Sequence, residues 1–228
     1  MRPELRRVGV LQSPVVVIDD FTGDAEAVAR LADALAPYPF IRDSYYPGVR
    51  QLIRRGDREA DAYVERLCND AAQFIAGAFE YDSFDLAEAS FSIVTTDPPR
   101  LSEPQRMPHF DSTDPKYLAL LHYLRVPEGT GTAFYRQRST NIEMVTDDNR
   151  ADFIRAAQSE VKQMPLNSGY IRSSNDFFEQ IGAVEAVPDR LVIYQGSLLH
   201  SGIIPPGMNF STDPRVGRLT ANIFVRGH

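Results

Sequence analysis

The chain has 228 residues, of which 43% are hydrophobic and 10% aromatic, enough to bury a full core as one domain. A formal net charge of −7, with no long run of lysine or arginine, argues against a nucleic-acid partner. The first residues lack the apolar run of a signal peptide, and no stretch of about 18 apolar residues could span a bilayer. We therefore expect a cytoplasmic protein with no membrane partner.

The N-terminal part predicts one strand followed by two helices. Pro14–Asp20 is a β-branched run typical of a buried strand. Asp24 is a suitable N-cap for a first helix, which Pro37 would end. From about Asp57 to Ala78, apolar residues recur at helical spacing, so we expect a second helix that packs on a sheet.

The rest of the chain predicts mainly strands. A change to β-branched and aromatic runs near residue 84 favours an α+β, mainly β fold with the helices on one side of the sheet. The predicted strands are Phe91–Thr95, Tyr117–Leu124, Thr132–Tyr135, Leu191–Tyr194 and Leu219–Val225. Between them, residues 136–188 form a candidate lid, with one helix near Phe153 and a second, short helix capped by Asn175.

Three separated residues offer a ligand set for a metal ion. His109 and Asp111 stand two positions apart on a predicted extended segment, so their side chains point to the same face. With His200 they would make the two-histidine, one-carboxylate set that holds non-haem iron(II) and leaves three positions open. His122 alternates in facing with Tyr123 and is expected to pack in the core. Since His-x-Asp is a short pattern, its context has to decide.

The order of the motifs supplies that context. After His109-x-Asp111 come a strand ending in Tyr123-Leu124, a glycine-containing turn and strand at Gly129–Tyr135, and Asp189-Arg190-Leu191 leading to His200. Arg218 stands eighteen positions beyond His200. Over roughly residues 90–228 this order resembles the iron(II)- and 2-oxoglutarate-dependent dioxygenase superfamily, particularly its prolyl-hydroxylase-like branch. The segment Tyr45–Arg50 is similar to an uncharacterised bacterial subgroup of that branch.

The resemblance implies a double-stranded β-helix core, of the jelly-roll or cupin-like kind, with N-terminal helices packed on its major sheet. The expected organisation is one domain over residues 1–228. Residues 1–83 would supply the N-terminal strand and supporting helices, and residues 84–228 the barrel core with its 136–188 insertion.

The resemblance also assigns roles. His109, Asp111 and His200 would hold Fe(II) as the metal ligands and catalytic residues. Arg218 would pair with the far carboxylate of 2-oxoglutarate, where a planar guanidinium can form two parallel hydrogen bonds, and Tyr123 and Thr220 would add hydroxyl groups.

The implied reaction uses O2 and hydroxylates an unidentified small molecule or protein side chain, with release of succinate and CO2. A carboxylate at position 111 favours hydroxylation over halogenation. Arg215, in a turn after Pro214, is the rival residue for the oxoacid.

One departure from the family and two alternatives stand beside this interpretation. Where many relatives have a tyrosine about ten residues before the first histidine, this chain offers only Thr95 and Thr96, with Gln105 a further candidate. Three arginines near the expected mouth suggest an anionic substrate, unless they are solvated loop charges: Arg136, Arg138 and Arg172. The alternatives are an inactive metal- and oxoacid-binding module and a cupin-like metalloenzyme that binds its substrate directly on the metal. The sequence does not indicate an oligomeric state.

Overall fold

The computed structural model describes residues 1–40, 45–165 and 167–228. Its helices are α1 (Ala25–Ala34), α2 (Arg58–Phe79) and α3 (Arg150–Glu160). The strands are β1 (Arg2–Val8), β2 (Ser13–Asp19), β3 (Gly48–Leu52), β4 (Phe84–Val94), β5 (Tyr117–Arg125), β6 (Gly131–Gln137), β7 (Phe178–Glu185), β8 (Leu191–Gln195), β9 (His200–Ile203) and β10 (Leu219–Gly227). Single 3-10 turns lie at Pro98–Arg100, Pro104–Arg106 and Val161–Gln163.

The strands form two antiparallel sheets. The major sheet has seven strands in the order β1-β2-β8-β5-β10-β4-β3, and the minor sheet has three in the order β7-β6-β9. Most neighbours within a sheet are distant in sequence, so crossover connections run between the sheets as in a jelly roll. The predicted mainly β, double-stranded β-helix fold is confirmed.

The two faces of the major sheet have different partners. On β5, Leu118, Leu120 and Leu124 belong to the core shared with α1 and α2. The alternate residues Ala119 and Tyr123 face the minor sheet and belong to the barrel interior. The period of two along a strand therefore separates the helix-facing core from the interior that can house a site.

The helices begin where the sequence predicts. Asp24 caps α1 by accepting a hydrogen bond from the Ala27 backbone N–H at 2.9 Å. The N-cap of α2 is Asp57, and the helix ends at a left-handed Glu80. The buried side of α2 packs its apolar stripe on the major sheet, as expected from the helical spacing.

Three elements differ from the sequence analysis. Strands β1 and β3 were not predicted, because edge strands with mostly exposed or half-buried side chains lack an apolar pattern. The short helix predicted after Asn175 is wrong. The Asn175 side chain does accept hydrogen bonds from the Phe177 and Phe178 backbone N–H groups, but the chain continues as β7, since pairing with β6 outweighs the local helical pattern. Within the predicted 136–188 insertion, residues 136–137 belong to β6 and residues 178–185 form β7, so these parts are strands of the minor sheet.

Candidate functional site

The two histidines of the predicted triad lie opposite each other on adjacent extended segments. His109 donates its backbone N–H to the His200 carbonyl at 2.8 Å, and His200 returns a bond of 2.9 Å. The segment around His109 thus extends the minor sheet beyond β9, and the two imidazole centroids lie 4.3 Å apart. A backbone bridge therefore fixes two residues that are far apart in sequence as neighbours.

Asp111 completes the group. One ligand atom each of His109, Asp111 and His200 lies within 4.8 Å of the other two. Asp111 Oδ1 is 3.9 Å from His109 Nε2, and its Oδ2 is 3.5 Å from His200 Nε2, so neither contact is a hydrogen bond. The Asp111 backbone N–H is held by the Gly196 carbonyl at 2.7 Å, and a Cβ on Gly196 would lie 2.9 Å from Tyr117.

His200 is held in one tautomer and one orientation. Its Nδ1 lies 2.8 Å from the Leu198 carbonyl, which can only accept, so Nδ1 carries the proton and Nε2 keeps a free lone pair. Tyr194 packs edge-on against the ring at a centroid distance of 4.8 Å, and Phe134 packs in turn on Tyr194. The lone pair of a neutral imidazole is the form that binds a metal ion.

The surroundings favour neutral imidazoles. Burial lowers the pKa of His200 to about 4. The pKa of His109, whose side chain is still 56% exposed, is lowered in the same direction by desolvation and by the adjacent His200. Burial raises the pKa of Asp111 to about 6, an effect that the neighbouring His109 and Arg50 oppose. Two neutral nitrogen donors beside a carboxylate with no hydrogen-bonded cation suit a divalent metal ion.

Arg218 is a buried cation in the barrel interior. It is only 4% exposed, and no carboxylate of the described residues forms an ion pair with it. Its Nη2 makes one long hydrogen bond of 3.4 Å to the Gly131 carbonyl, while its buried Nε has no partner among the described residues. The guanidinium lies 5.6 Å from the centre of the Tyr123 ring. A buried guanidinium without a counterion is costly, so the pocket is suited to an anionic ligand.

Tyr123 and Thr220 lie on the same interior face and are cross-strand partners. The Tyr123 hydroxyl is 2.7 Å from Thr132 Oγ1, and either oxygen can be the donor. If Thr132 donates, the Tyr123 proton is free for a ligand. Thr220 donates to Asn222 at 2.8 Å, so its own proton is already engaged. The structure thus brings Arg218 and Tyr123 into direct contact and gives Thr220 a competing partner.

The other arginines considered in the sequence analysis are engaged elsewhere or exposed. Arg215 is 67% exposed and lies 3.6 Å from Asp213 in its own turn. Arg136 and Arg138 both pair with Glu179 on β7, and Arg172 is exposed. The interpretation of these last three as solvent-facing or paired loop charges fits the structure better than an anion site.

Thr95 and Thr96, the candidates named in place of a tyrosine, both donate their backbone N–H to the Pro47 carbonyl. The Thr96 carbonyl accepts a hydrogen bond from the Tyr170 hydroxyl at 2.7 Å. Tyr170 and Tyr46 both lie near Arg218, whose charge opposes the rise that burial causes in their pKa values. Gln105 accepts a hydrogen bond from the Ser102 backbone and donates weakly to the Tyr45 carbonyl.

Arg50 is a functional candidate that the sequence analysis missed. It lies on β3, an edge strand without an apolar pattern, and its charge opposes the rise in the pKa of Asp111 that burial causes. In the sequence, the only indication of a role for Arg50 is its place in the segment Tyr45–Arg50, which is similar to an uncharacterised bacterial subgroup. The side chain was not identified because nothing in the sequence shows that β3 borders the barrel interior.

His122 belongs to a separate, fully buried group behind the major sheet. Its Nδ1 lies 2.8 Å from the Tyr63 hydroxyl and its Nε2 lies 3.0 Å from Asp189 Oδ1. Burial raises the pKa of Asp189, but hydrogen bonds from His122, from the Thr22 side chain and from the Thr22 and Gly23 backbones outweigh it and lower the pKa to about 2. His122 is a core histidine, as predicted.

The fold is shared with several solved enzymes at low sequence identity. HygX from Streptomyces hygroscopicus, solved with nickel and 2-oxoglutarate bound, is 13% identical, with a TM-score of 0.56 over 94% of this chain and 83% of that chain. SnoN, a non-heme alpha-ketoglutarate-dependent epimerase from nogalamycin biosynthesis, is 15% identical, with a TM-score of 0.55 over 94% and 79%. A prolyl-4-hydroxylase from Pseudomonas putida is 15% identical, with a TM-score of 0.50 over 96% and 95%.

The sequence comparisons give one family and no relative of known role. Residues 1–225 match the model of a family of unknown function, DUF6445. The comparison with curated proteins gives no match. Among the helices of the described residues, none has the length and apolar character needed to cross a membrane. At these identities the structural likeness establishes the fold, and the chemistry has to be argued from the residues themselves.

Proposed function

Since the chain belongs to DUF6445, a family of unknown function, its activity has to be argued from the site, and we propose that it is an iron(II)- and 2-oxoglutarate-dependent oxygenase. One observation carries this proposal. Three side chains of the type that binds non-haem iron converge to within 4.8 Å, in a barrel whose interior also holds the buried, unpaired Arg218. A cation site and an anion site in one interior match a metal ion with an acidic cosubstrate.

His109, Asp111 and His200 would hold Fe(II). The donor set fits, because the His200 tautomer leaves Nε2 unprotonated and the Asp111 carboxylate has no hydrogen-bonded cation. The Asp111 carboxylate lies 3.9 Å from His109 Nε2 and 3.5 Å from His200 Nε2, so the three side chains are close enough to bind one ion together. Iron(II) with 2-oxoglutarate would supply the activation of O2, with release of succinate and CO2.

Arg218 would bind the far carboxylate of 2-oxoglutarate. Its Nε supports this role, since a ligand oxygen would provide the partner that this buried N–H lacks. Tyr123 would donate its hydroxyl proton to the same carboxylate while accepting from Thr132. Thr220, engaged with Asn222, would order that neighbourhood or exchange its partner when the ligand binds. The apolar residues around them keep water away from the carboxylate.

We propose hydroxylation as the reaction, on a small molecule or a protein side chain. The three protein ligands leave adjacent coordination positions for a bidentate oxoacid and for O2. The protein's own task is to orient the substrate beside these positions and to limit the access of water.

The proposal is tested by 2-oxoglutarate binding and by turnover. Isothermal titration of the Mn(II)-loaded protein should show 2-oxoglutarate binding that weakens about ten- to a hundredfold in Arg218→Lys. This size is expected because a lysine cannot reproduce the two-pronged hydrogen bonding of a guanidinium. The matched control is Arg215→Lys, since this exposed turn residue should leave the affinity unchanged.

Turnover separates the enzyme from an inactive module. With Fe(II), ascorbate, 2-oxoglutarate and O2, succinate and CO2 should form from 2-oxoglutarate, and this turnover should disappear in His109→Ala. Tight, Arg218-dependent binding without succinate would instead identify a non-catalytic oxoacid-binding module. Absence of 2-oxoglutarate binding to the metal-loaded protein would contradict the proposal altogether.

A further inference from the structure

A row of polar side chains crosses the barrel-facing side of the major sheet. Arg50 on β3 is the register partner of Ser92 on β4, Ser92 pairs with Thr220 on β10, and Thr220 pairs with Tyr123 on β5. The neighbouring Val49 is buried in the helix-facing core, so Arg50 points to the opposite, interior side. The row therefore begins at Arg50 and ends in the Arg218 pocket.

The backbone before Arg50 fixes its position. A Cβ on Gly48 would lie 1.9 Å from the Ile93 carbonyl oxygen, so only glycine allows β3 to approach β4 this closely. Tyr46, which lies two residues before Gly48, places its ring centre 6.0 Å from the Arg50 guanidinium carbon. Close strand pairing and the ring hold the guanidinium at the border of the site.

The guanidinium of Arg50 retains unused donor capacity. Both hydrogen bonds that it makes with described residues use Nη2, one to Glu88 and one of 3.0 Å to Ser90. Its Nε is buried and has no partner among those residues. The side chain is nevertheless 24% exposed, so a ligand can reach it from solvent. Leaving a charged buried N–H unpaired costs free energy that an incoming oxygen acceptor would recover.

Glu88 places a negative charge beside this donor. Its side chain is 40% exposed and can turn away from Arg50 without leaving solvent. The charge of Arg50 opposes the rise that burial causes in the pKa of Tyr117 and of Asp111, while that of Glu88 adds to the rise for Tyr117. The charges of the Arg50–Glu88 pair thus act on Tyr117 and on the predicted metal ligand Asp111.

We propose that Arg50 and Glu88 bind a zwitterionic group of the organic substrate, its carboxylate on Arg50 and its ammonium group on Glu88. This inference rests on the proposed oxygenase function and names the substrate class: a free amino acid or a compound with the same amino and carboxylate pair. A ligand with both charges is complementary to this ion pair when its carboxylate faces Arg50 and its ammonium group faces Glu88. A phosphate dianion would be repelled by Glu88, and a side chain within a protein offers no adjacent ammonium and carboxylate.

The direct reporter is the Nε–H signal of Arg50. Protein with 15N-labelled arginine, saturated with diamagnetic Zn(II) and with 2-oxoglutarate, is titrated with an equimolar pool of L-amino acids, with acetate and with inorganic phosphate. The Arg50→Lys variant assigns the signal by its loss. Saturating 2-oxoglutarate would fill the proposed site at Arg218 before the probes are added, so that the Arg50 signal reports binding of the probes at Arg50.

The amino-acid pool should shift the Arg50 signal saturably, with a midpoint at least about threefold below those of acetate and phosphate. Glu88→Gln should remove that preference while leaving the acetate response. No saturable shift with the pool overturns the inference, and so does a response to acetate or phosphate as strong as that to the pool. Preference retained in Glu88→Gln overturns the role of Glu88.

The same spectra separate this inference from the function on which it rests. Addition of 2-oxoglutarate should move the Arg218 Nε–H signal before any probe is added. An unmoved Arg218 signal would contradict the oxygenase proposal, whereas a moved Arg218 signal with an unresponsive Arg50 would contradict only the zwitterion site. Arg215→Lys serves as the control variant, because its exposed side chain should not affect either response.

Discussion

Two histidine–aspartate groups on opposite sides of the major sheet use the same residue types for different ends. In the buried group behind the sheet, His122 hydrogen-bonds Asp189 at 3.0 Å and Tyr63 at 2.8 Å. In the barrel, Asp111 stays 3.5 Å and 3.9 Å from its two histidines and bonds to neither. One aspartate has a pKa lowered to about 2 and the other a pKa raised to about 6.

The different hydrogen bonding of Asp189 and Asp111 distinguishes a structural network from a candidate binding site. At Asp189 four surrounding groups hydrogen-bond the carboxylate within the protein: His122, the Thr22 hydroxyl and the backbone N–H groups of Thr22 and Gly23. At Asp111 no such set of hydrogen bonds balances burial, so a bound cation would stabilise the charged carboxylate further. A buried charged group whose hydrogen bonds and counter-charges within the protein do not offset its burial is the better candidate for binding a ligand.

The largest expected effect is the loss of metal affinity when His109 in the barrel is replaced. His109→Ala should weaken the affinity for Mn(II) or Fe(II) about a thousandfold, roughly 4 kcal/mol, because it removes one of the three proposed ligands. The free energy of unfolding of the metal-free protein should change by less than about 0.5 kcal/mol, since the side chain is 56% exposed. Anaerobic titration calorimetry and urea unfolding measure the two quantities. An unchanged metal affinity would remove His109 from the ligand set.

His122→Ala should do the reverse. It leaves a cavity and removes the hydrogen bonds that His122 makes with the buried Tyr63 and Asp189, so the free energy of unfolding should fall by about 3 kcal/mol. Metal affinity should remain within about twofold of the wild type when measured below the unfolding transition. His228→Ala is the matched control for both variants, because that histidine forms only an exposed pair with Asp85. Equal loss of metal affinity in His122→Ala would show that the two groups are coupled.

A smaller effect is expected in the pH dependence of the stability that Asp189 contributes. The pKa of Asp189 is about 2 in the folded protein against a usual value of 3.8, so its charged form stabilises the fold. This contribution, about 2 kcal/mol, is fully present above pH 3.8 and is lost as the pH falls through 2. Urea unfolding of wild type and Asp189→Asn between pH 6 and pH 2 should show a stability difference that shrinks only at the acidic end. A difference that is constant with pH would assign the effect to packing.

The predictable parts of the fold are those with a local pattern. Asp24 caps its helix, the apolar stripe of α2 faces the sheet, and the β-branched runs form β2, β5, β8 and β10. The unpredicted parts depend on distant partners. Strand β7 has a helix-like local pattern and becomes a strand only because β6 offers its edge, and β1 and β3 are strands because neighbours pair with them.

The candidate site divides in the same way. The residues with a recognisable order along the chain, His109, Asp111, His200 and Arg218, could be selected from the sequence. Arg50 could not, because its relevance depends on a register that aligns it with Ser92 and Thr220 across three strands. The roles of the two histidines, Asp111 and Arg218 as metal and cosubstrate ligands stay predictions. The division of the domain into residues 1–83 and 84–228 also stays a prediction.

By itself the sequence determined which side chains share a strand face and which chemical groups are available, because alternation along a strand and the nature of a side chain are local properties. Only the tertiary structure decided which of those groups meet. The bridge between His109 and His200, the isolation of Arg218 from any described carboxylate and the pairing of Arg50 with Glu88 all depend on strand order and register. Those are set by the burial of both sheets at once, a balance that no local segment contains.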